Sequence, residues 1–568
     1  MKLSKRLLAI IGNAKVLFWA FLFMLVLPGL VMFFTEPTGL LTRVIQIVLP
    51  LAVFWFAMTL NRNPGKMFWW LFFFMFLDAF QIVLLYLFGE SPIAVDMFLN
   101  VVTTNVTEVD ELLGNLITAV STVFIIYGGG IIVAIMALRS KPLLSPEFLK
   151  RQRRNALILL VPVLALIGIN YAVDKRFIIE DDVFPINGTY NFLLSFSRYS
   201  DVVNYKENSK NFTYNATTER PDSLPEVYVL VLGETVRASN CNLYGYERNT
   251  MPELAAIGDQ LVVFRDAITM SNTTHKSVPL LLTPIGSEHF DSLYTQKGIF
   301  TAFKEAGYKT SFYSNQRRNG SFIDFLGSEA EDAIFAMDNV LLGSQSDDVL
   351  IDLFKKRLAG FKGEKLFFVL HCYGSHFNYA DRYPKRPDNF MPDDIPSAKP
   401  QYRDNMINAY DNTIRYTDRL VKSIINGLDS LNVPSTLIFL SDHGEDIFDD
   451  RRNRFLHASP IPTFYQLNVP FIVWTSDEYR SQYPDKWAAL NAHKDMPVST
   501  SMVVFHTILD LAGVNTTYAK PELAVSNDAF KPVARLYVND HNDFRTMDNA
   551  GLKDLDIEQF KLHNMVYP

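Results

Sequence analysis

Five long apolar blocks, all in the first third of the chain, constrain its architecture more than any other feature: Val16 to Phe34, Val44 to Leu60, Met67 to Phe88, Leu116 to Leu138 and Ala156 to Val173. Each is close to the roughly 20 residues that cross a hydrocarbon core, so five transmembrane helices are expected. The first block is long, lacks a small-x-small cleavage site and is followed by further spans, which makes it a retained anchor rather than a signal peptide.

Lysine and arginine set the orientation, because positively charged loops stay on the cytoplasmic side. Lys2, Lys5, Arg6 and Lys15 precede the first block, Arg62 and Lys66 follow the second, and Arg139, Lys141, Lys150, Arg151, Arg153 and Arg154 follow the fourth. The segment between the third and fourth blocks is acidic instead, with Glu90, Asp96, Glu108, Asp110 and Glu111. An odd number of spans then places everything after Val173 outside. Residues 174–223 are polar and mixed, and read as a connector carrying a surface-lying amphipathic helix around Tyr190 to Tyr199; residues 224–568 form a soluble domain.

The net charge is −7 and no basic stripe occurs away from the apolar blocks, which argues against a nucleic-acid partner. Cys241 and Cys372 are far apart and outside any Cys-x-x-Cys pair, so a disulfide framework cannot be inferred and neither is nominated as a functional residue.

From Pro225 onward, short apolar runs alternate with amphipathic stretches, the pattern of a mostly parallel sheet flanked by helices. The residues just after each run carry the chemistry. Val227 to Leu232 leads into Gly233-Glu234-Thr235, Leu366 to Leu370 into His371-Cys-Tyr-Gly-Ser-His376, and Leu437 to Leu440 into Ser441-Asp442-His443-Gly444-Glu445. Ligands of open α/β sheets bind beyond the carboxyl ends of the strands, so these clusters should converge. Carboxylate and imidazole donors in one crevice suit zinc, with Glu234, Asp442 and His443 as its ligands. His376 and His457 could hold a second ion or a phosphate. A hydroxyl nucleophile should come from Ser271-Asn-Thr-Thr-His-Lys-Ser-Val-Pro279, at the start of a helix whose backbone N–H groups can steady a phosphate. Thr273, Thr274 and Ser277 are equal candidates on composition.

The run Gly233-Glu-Thr-Val-Arg-Ala-Ser-Asn followed by Tyr244-Gly-Tyr-Glu-Arg-Asn-Thr-Met-Pro252 resembles the opening of the catalytic domain in bacterial phosphoethanolamine transferases of the alkaline phosphatase and sulfatase superfamily. The likeness continues through Thr274-x-x-Ser277-Val-Pro279, Gly374-Ser-His376, Asn408-Ala-Tyr-Asp-Asn-Thr-Ile414 with Tyr416 and Asp418, Ser441-Asp-His-Gly-Glu445, Leu456-His457 and Val469-Pro-Phe-Ile-Val-Trp474, in the family's order. The resemblance implies an α-helical membrane domain of five spans joined to an α/β sulfatase-like domain in the periplasm, anchored in the bacterial inner membrane. It also implies Thr274 as the nucleophile, zinc held by Glu234, Thr274, Asp442 and His443, and His376 and His457 at the phosphate or a second zinc. Asn100, Thr104 and Glu108 match a family segment that approaches the ethanolamine head group.

The implied reaction moves phosphoethanolamine from phosphatidylethanolamine to a lipopolysaccharide or other envelope glycan through Thr274, in a monomeric enzyme. Members that modify lipid A usually carry several disulfides in this domain; Met270 and Leu280 stand where such enzymes often place cysteines, which points toward acceptors other than lipid A. Two other readings belong to the same scaffold: a phosphoglycerol transferase of the lipoteichoic acid synthase type, and a noncatalytic membrane sensor. A sulfatase is disfavoured, since neither cysteine sits in the Cys-x-Pro/Ala-x-Arg context that becomes formylglycine.

Overall fold

The structure is a computed structural model that describes residues 12–567 apart from 37, 89–91, 96, 99–119, 175–176, 287–289 and 340–345. Asn100, Thr104 and Glu108 therefore lie outside the described residues. The chain divides into two compact units that part between Arg198 and Tyr199.

Among the described residues of the first unit, four helices are long and apolar enough to cross a membrane: Ala14–Thr35, Leu40–Met58, Val120–Ser140 and Pro146–Val173. A fifth span exists if the bent pair Pro64–Trp70 and Phe72–Tyr86 crosses as one. The third apolar block is thus two helices meeting at 68° rather than one. Its first piece is held aside: Asn63 caps it, and Gly65 packs so closely on Ala137 that an added Cβ would lie 2.8 Å from the alanine methyl. The last helix begins at Pro146, ahead of the apolar block, because Ser145 accepts the Phe148 N–H as a cap and Glu147 suits the first turn. Within this unit Tyr127 donates to the Met24 carbonyl at 3.2 Å, a carbonyl that Pro28 cannot satisfy because it lacks an N–H. Phe23, Phe76, Phe124, Ile125 and Val161 are exposed, as on a surface that faces lipid.

The connector's helix runs from Ile186 to Val203, longer than the expected stretch. Its polar Asn187 and Asn191 are buried and donate to the Ile93 carbonyl at 3.1 and 2.7 Å, while Leu193 and Phe196 are exposed.

The second unit is built on a seven-stranded sheet of β1 (Glu226–Gly233), β2 (Leu261–Val263), β3 (Lys309–Ser314), β4 (Asp332–Phe335), β5 (Lys365–His371), β6 (Ser435–Ser441) and β7 (Phe471–Thr475). Across the sheet the order is β2-β7-β6-β1-β5-β3-β4. The five strands from β6 to β4 are parallel, and β7 and β2 add an antiparallel edge. Strands β6, β1 and β5 are neighbours, fully buried and apolar on both faces, as a doubly covered parallel sheet requires. The three residue clusters therefore emerge side by side from one edge of the sheet.

The helix Arg403–Asp429 clamps the segment that leaves β1. Tyr410 donates to the Thr235 carbonyl and accepts from the Arg237 N–H, at 2.6 and 2.9 Å. Asp411 accepts from Asn240, Tyr246 and Arg248 at 2.8 to 3.0 Å, and Asp418 takes the N–H groups of Glu253 and Leu254. Cys241 and Cys372 are both free and buried.

The helix Thr500–Ala512 packs behind the helix that begins at Thr274. Its His506 is buried, accepts the Lys520 N–H at 3.2 Å, and is pushed down to about 3, first by burial and then by Lys520. A base whose folded value lies below its ordinary 6.5 favours the folded state above that pH, and the contribution is lost as pH falls toward 3. We predict that stability of the detergent-solubilised chain falls between pH 6.5 and 4 with a component of about 1.4 kcal/mol per pH unit from this group. His506→Asn, whose amide oxygen takes the place of Nδ1 and can still accept the Lys520 N–H, should remove that component; urea midpoints measured across this range check it.

Candidate metal and phosphoryl site

Glu234 is the first residue after β1, and its side chain turns into the crevice where β5 and β6 also end. The loop after β5 must pass directly over it. Gly374 permits this: its φ is +54°, and a Cβ there would meet Glu234 N and O at 2.8 Å. Gly444 serves the loop after β6 in the same way, since a Cβ would lie 2.1 Å from the Tyr465 carbonyl.

Thr274 opens the helix Thr274–Leu281. Its hydroxyl stands 3.1 and 3.2 Å from the two Glu234 oxygens and 3.0 Å from His443 Nε2. The other two hydroxyl candidates are engaged elsewhere. Thr273 faces Ser271 at 3.1 Å, and Ser277 donates to the Ser271 carbonyl at 3.0 Å. Geometry thus separates three residues that composition left equal.

His443 Nδ1 lies 2.9 Å from the Gly444 carbonyl, which can only accept, so Nδ1 carries the proton and Nε2 presents a lone pair. That lone pair is 3.3 Å from Asp442 Oδ2 and 3.6 Å from Glu234 Oε1. Asp442 is fully buried, and its other oxygen accepts the N–H groups of His443 and Thr235 at 2.8 and 3.2 Å. Burial pushes the Glu234 carboxyl well above its ordinary value, reinforced by the Asp442 charge, and raises Asp442 too. Burial drives His443 the other way, helped by His457.

His457 and His376 complete the group. The His457 ring is 4.3 Å from His443 and 5.8 Å from His376, and His457 Nδ1 faces Glu445 Oε2 at 3.3 Å. Ligand atoms of Glu234, His443 and His457 lie within 4.8 Å of one another, so His457 stands with the first cluster as well as beside His376. His376 donates from Nδ1 to the Phe377 carbonyl at 2.7 Å and stacks on Tyr373. Burial, with Arg382 and His457 nearby, lowers it to about 3.

Carboxylate oxygens and an imidazole lone pair facing each other at this range repel unless a positive charge sits among them. One threonine hydroxyl has a single proton to share. The donor set therefore fits a divalent cation that accepts oxygen and nitrogen ligands, with zinc the natural match.

A family model for sulfatases matches residues 226–514. The chain belongs to the sulfatase family. Within it, the chain is 29% identical over 322 residues to the phosphoethanolamine transferase EptC of Escherichia coli (strain K12), which covers 55% of each protein. The chain thus matches about half the length of such relatives. A crystal structure of the C-terminal periplasmic domain of EptC from Escherichia coli in complex with zinc superposes with a TM-score of 0.53 and 27% identity, covering 60% of this chain and 96% of that one. The integral membrane lipooligosaccharide phosphoethanolamine transferase A of Neisseria meningitidis shares the fold over 91% of this chain and 97% of its own, with a TM-score of 0.69 and 21% identity.

Three contributors escaped sequence reasoning. Gln316 donates to Glu234 Oε2 and to the Cys372 carbonyl, both at 3.0 Å. Glu445 closes the Ser441-Asp-His-Gly-Glu445 run, yet its contact with His457 could not be read there. Asp347 accepts from Asn315 and from the N–H groups of Tyr373 and Gly374 at 2.8 to 2.9 Å, fixing the loop over Glu234. Gln316 was findable: it follows β3, and the rule applied to three strand ends holds for a fourth.

Glu234→Gln and Asp442→Asn are each predicted to weaken zinc binding by at least about 100-fold. Gln316→Ala, which frees a ligand without removing it, should cost about 10- to 100-fold. Competition with a chromophoric chelator measures all three.

Proposed function

We propose that this chain is a zinc-dependent transferase that moves phosphoethanolamine from phosphatidylethanolamine to a lipopolysaccharide or other envelope glycan, through an intermediate carried on Thr274. The observation that carries the reading is the Thr274 hydroxyl, placed among Glu234, Asp442 and His443 while the neighbouring hydroxyls are engaged elsewhere. The head group is supported by the names of the relatives and by the family motifs. The five apolar segments, with basic loops on one side, support a multi-pass protein of the bacterial inner membrane whose second unit works in the periplasm. There a membrane lipid can serve as donor.

Glu234, Thr274, Asp442 and His443 would hold the ion, with His457 adjacent. Zinc bound there lowers the pKa of a hydroxyl and offsets negative charge on phosphoryl oxygens. In the first step Thr274 Oγ attacks the donor phosphorus, the bond to the glycerol oxygen breaks, and diacylglycerol leaves with the proton that Thr274 gives up. In the second, an acceptor hydroxyl attacks the same phosphorus, and the Thr274 oxygen leaves and regains a proton. His376 is suited to the transfers by its neutral form, its Nε2 being free to accept once Nδ1 is spent on Phe377. His457 turns its Nδ1 to the Glu445 carboxylate. Asn100, Thr104 and Glu108 are proposed to meet the ammonium of the head group, where a carboxylate is the complementary charge.

The test uses membranes containing the chain and lipid labelled in its ethanolamine or glycerol head group. Mass spectrometry should find a phosphoethanolamine adduct on the Thr274 peptide, absent from Thr274→Ala, whose transfer rate should fall by at least about 1,000-fold. A phosphoglycerol adduct would transfer the reading to the lipoteichoic acid synthase type. No adduct, with surface glycans unchanged by Thr274→Ala, would favour the sensor.

A further inference from the structure

His457 stands between two residues whose backbone is one that L-residues avoid. Leu456 and Ala458, its immediate neighbours, have φ of +68° and +62°. Each such residue is strained, and two in three positions persist only where the surroundings dictate them.

The surroundings are a buried amide junction on the far side of the loop. Asn272, two residues before Thr274, donates from its single side-chain nitrogen to the Ser459 carbonyl at 2.8 Å and to Gln466 Oε1 at 2.6 Å. Its own backbone carbonyl accepts the Ala458 N–H at 3.1 Å, and its side-chain oxygen accepts from Tyr537 at 2.9 Å. Gln466 in turn donates to Asp446 Oδ2 at 2.7 Å and to the Leu456 carbonyl at 3.3 Å. Its backbone carbonyl accepts the Gly444 N–H at 2.9 Å. Asn272, Gln466, Asp446 and Ser459 are all at most 3% exposed. Two amide side chains thereby tie together the segment that carries Thr274, the loop Asp442 to Glu445, and the strained turn that carries His457. None of these bonds involves a residue assigned to metal or phosphate.

We infer that Asn272, with Gln466, is a positioning residue that holds His457 in register with Thr274 for the transfer step. The inference rests on the roles proposed for Thr274 and His457. The junction fixes both partners through one rigid amide, so neither can shift by itself, and a misplacement of about 1 Å between reacting groups costs on the order of 100-fold in rate. A residue that only stabilised the fold would lower the amount of active enzyme and leave the rate per folded site unchanged.

The test is a double-mutant cycle on the zinc-loaded full chain, reading the rate of phosphoethanolamine loading on Thr274 per folded molecule. Asn272→Ala should slow loading by at least about 30-fold in the wild-type background, and by no more than about 3-fold in a His457→Ala background. Equal factors in both backgrounds, or a rate per folded molecule unchanged by Asn272→Ala, would overturn the inference. Tyr537→Phe removes a bond to the same side chain without touching the loop, and should retain most of the rate.

If wild-type protein forms no adduct at all, the transferase reading fails. The positioning claim is then decided by hydrogen exchange over residues 455–460. Asn272→Ala should release protection there while leaving the β1 peptide unchanged, and retained protection overturns the claim.

Discussion

Carboxyl oxygens and an imidazole lone pair, pressed together in a buried crevice where only a proton or a cation can relieve their repulsion, set the terms for the rest of this structure. His443 spends its only proton on the Gly444 carbonyl and turns a bare nitrogen toward the carboxylates of Asp442 and Glu234. Burial strengthens every such repulsion, because little solvent is present to screen it. A cation placed among these atoms converts the repulsions into ligation, and of Glu234, Asp442, His443 and Thr274 only Thr274 is partly exposed. A hydroxyl that touches both the ligands and the opening is placed to react with something arriving from outside.

The scaffold supplies this arrangement through parallel strands. Three adjacent strands point their carboxyl ends the same way, so donors distant in sequence meet without long side chains reaching across the domain. Close backbone approach then becomes unavoidable, and Gly374 and Gly444 stand at the two places where a side chain would collide with it. The long helix Arg403–Asp429 holds the segment after β1 by Tyr410, Asp411 and Asp418, which explains why that helix carries buried polar residues along an otherwise apolar face.

Much of this was legible in the sequence because period and position carry it. Apolar runs ending in Glu234, His371 and Asp442 announced a parallel sheet with carboxylates and imidazoles gathered at its edge, and the apolar blocks announced the spans. The break at Leu71 was not legible: Met67 to Phe88 is apolar apart from Asp78 and Gln81, neither of which is near the break, and the close packing of Gly65 on Ala137 just before it is a contact far away in sequence. The choice of Thr274 over Thr273 and Ser277 was equally hidden from composition, because it depends on which hydroxyl the helix start turns toward Glu234. Gln316 was missed because β3 is short and partly polar, and the positive φ values around His457 leave no mark in a sequence that has no glycine there.

Anomalous diffraction at the zinc edge, from crystals of the full chain grown with zinc, locates the ion without reference to activity. A strong peak within ligand distance of Glu234, Asp442, His443 and the Thr274 oxygen is the predicted result. A chain active in phosphoethanolamine transfer whose zinc peak lies elsewhere, or which shows none, would contradict a metal-activated Thr274.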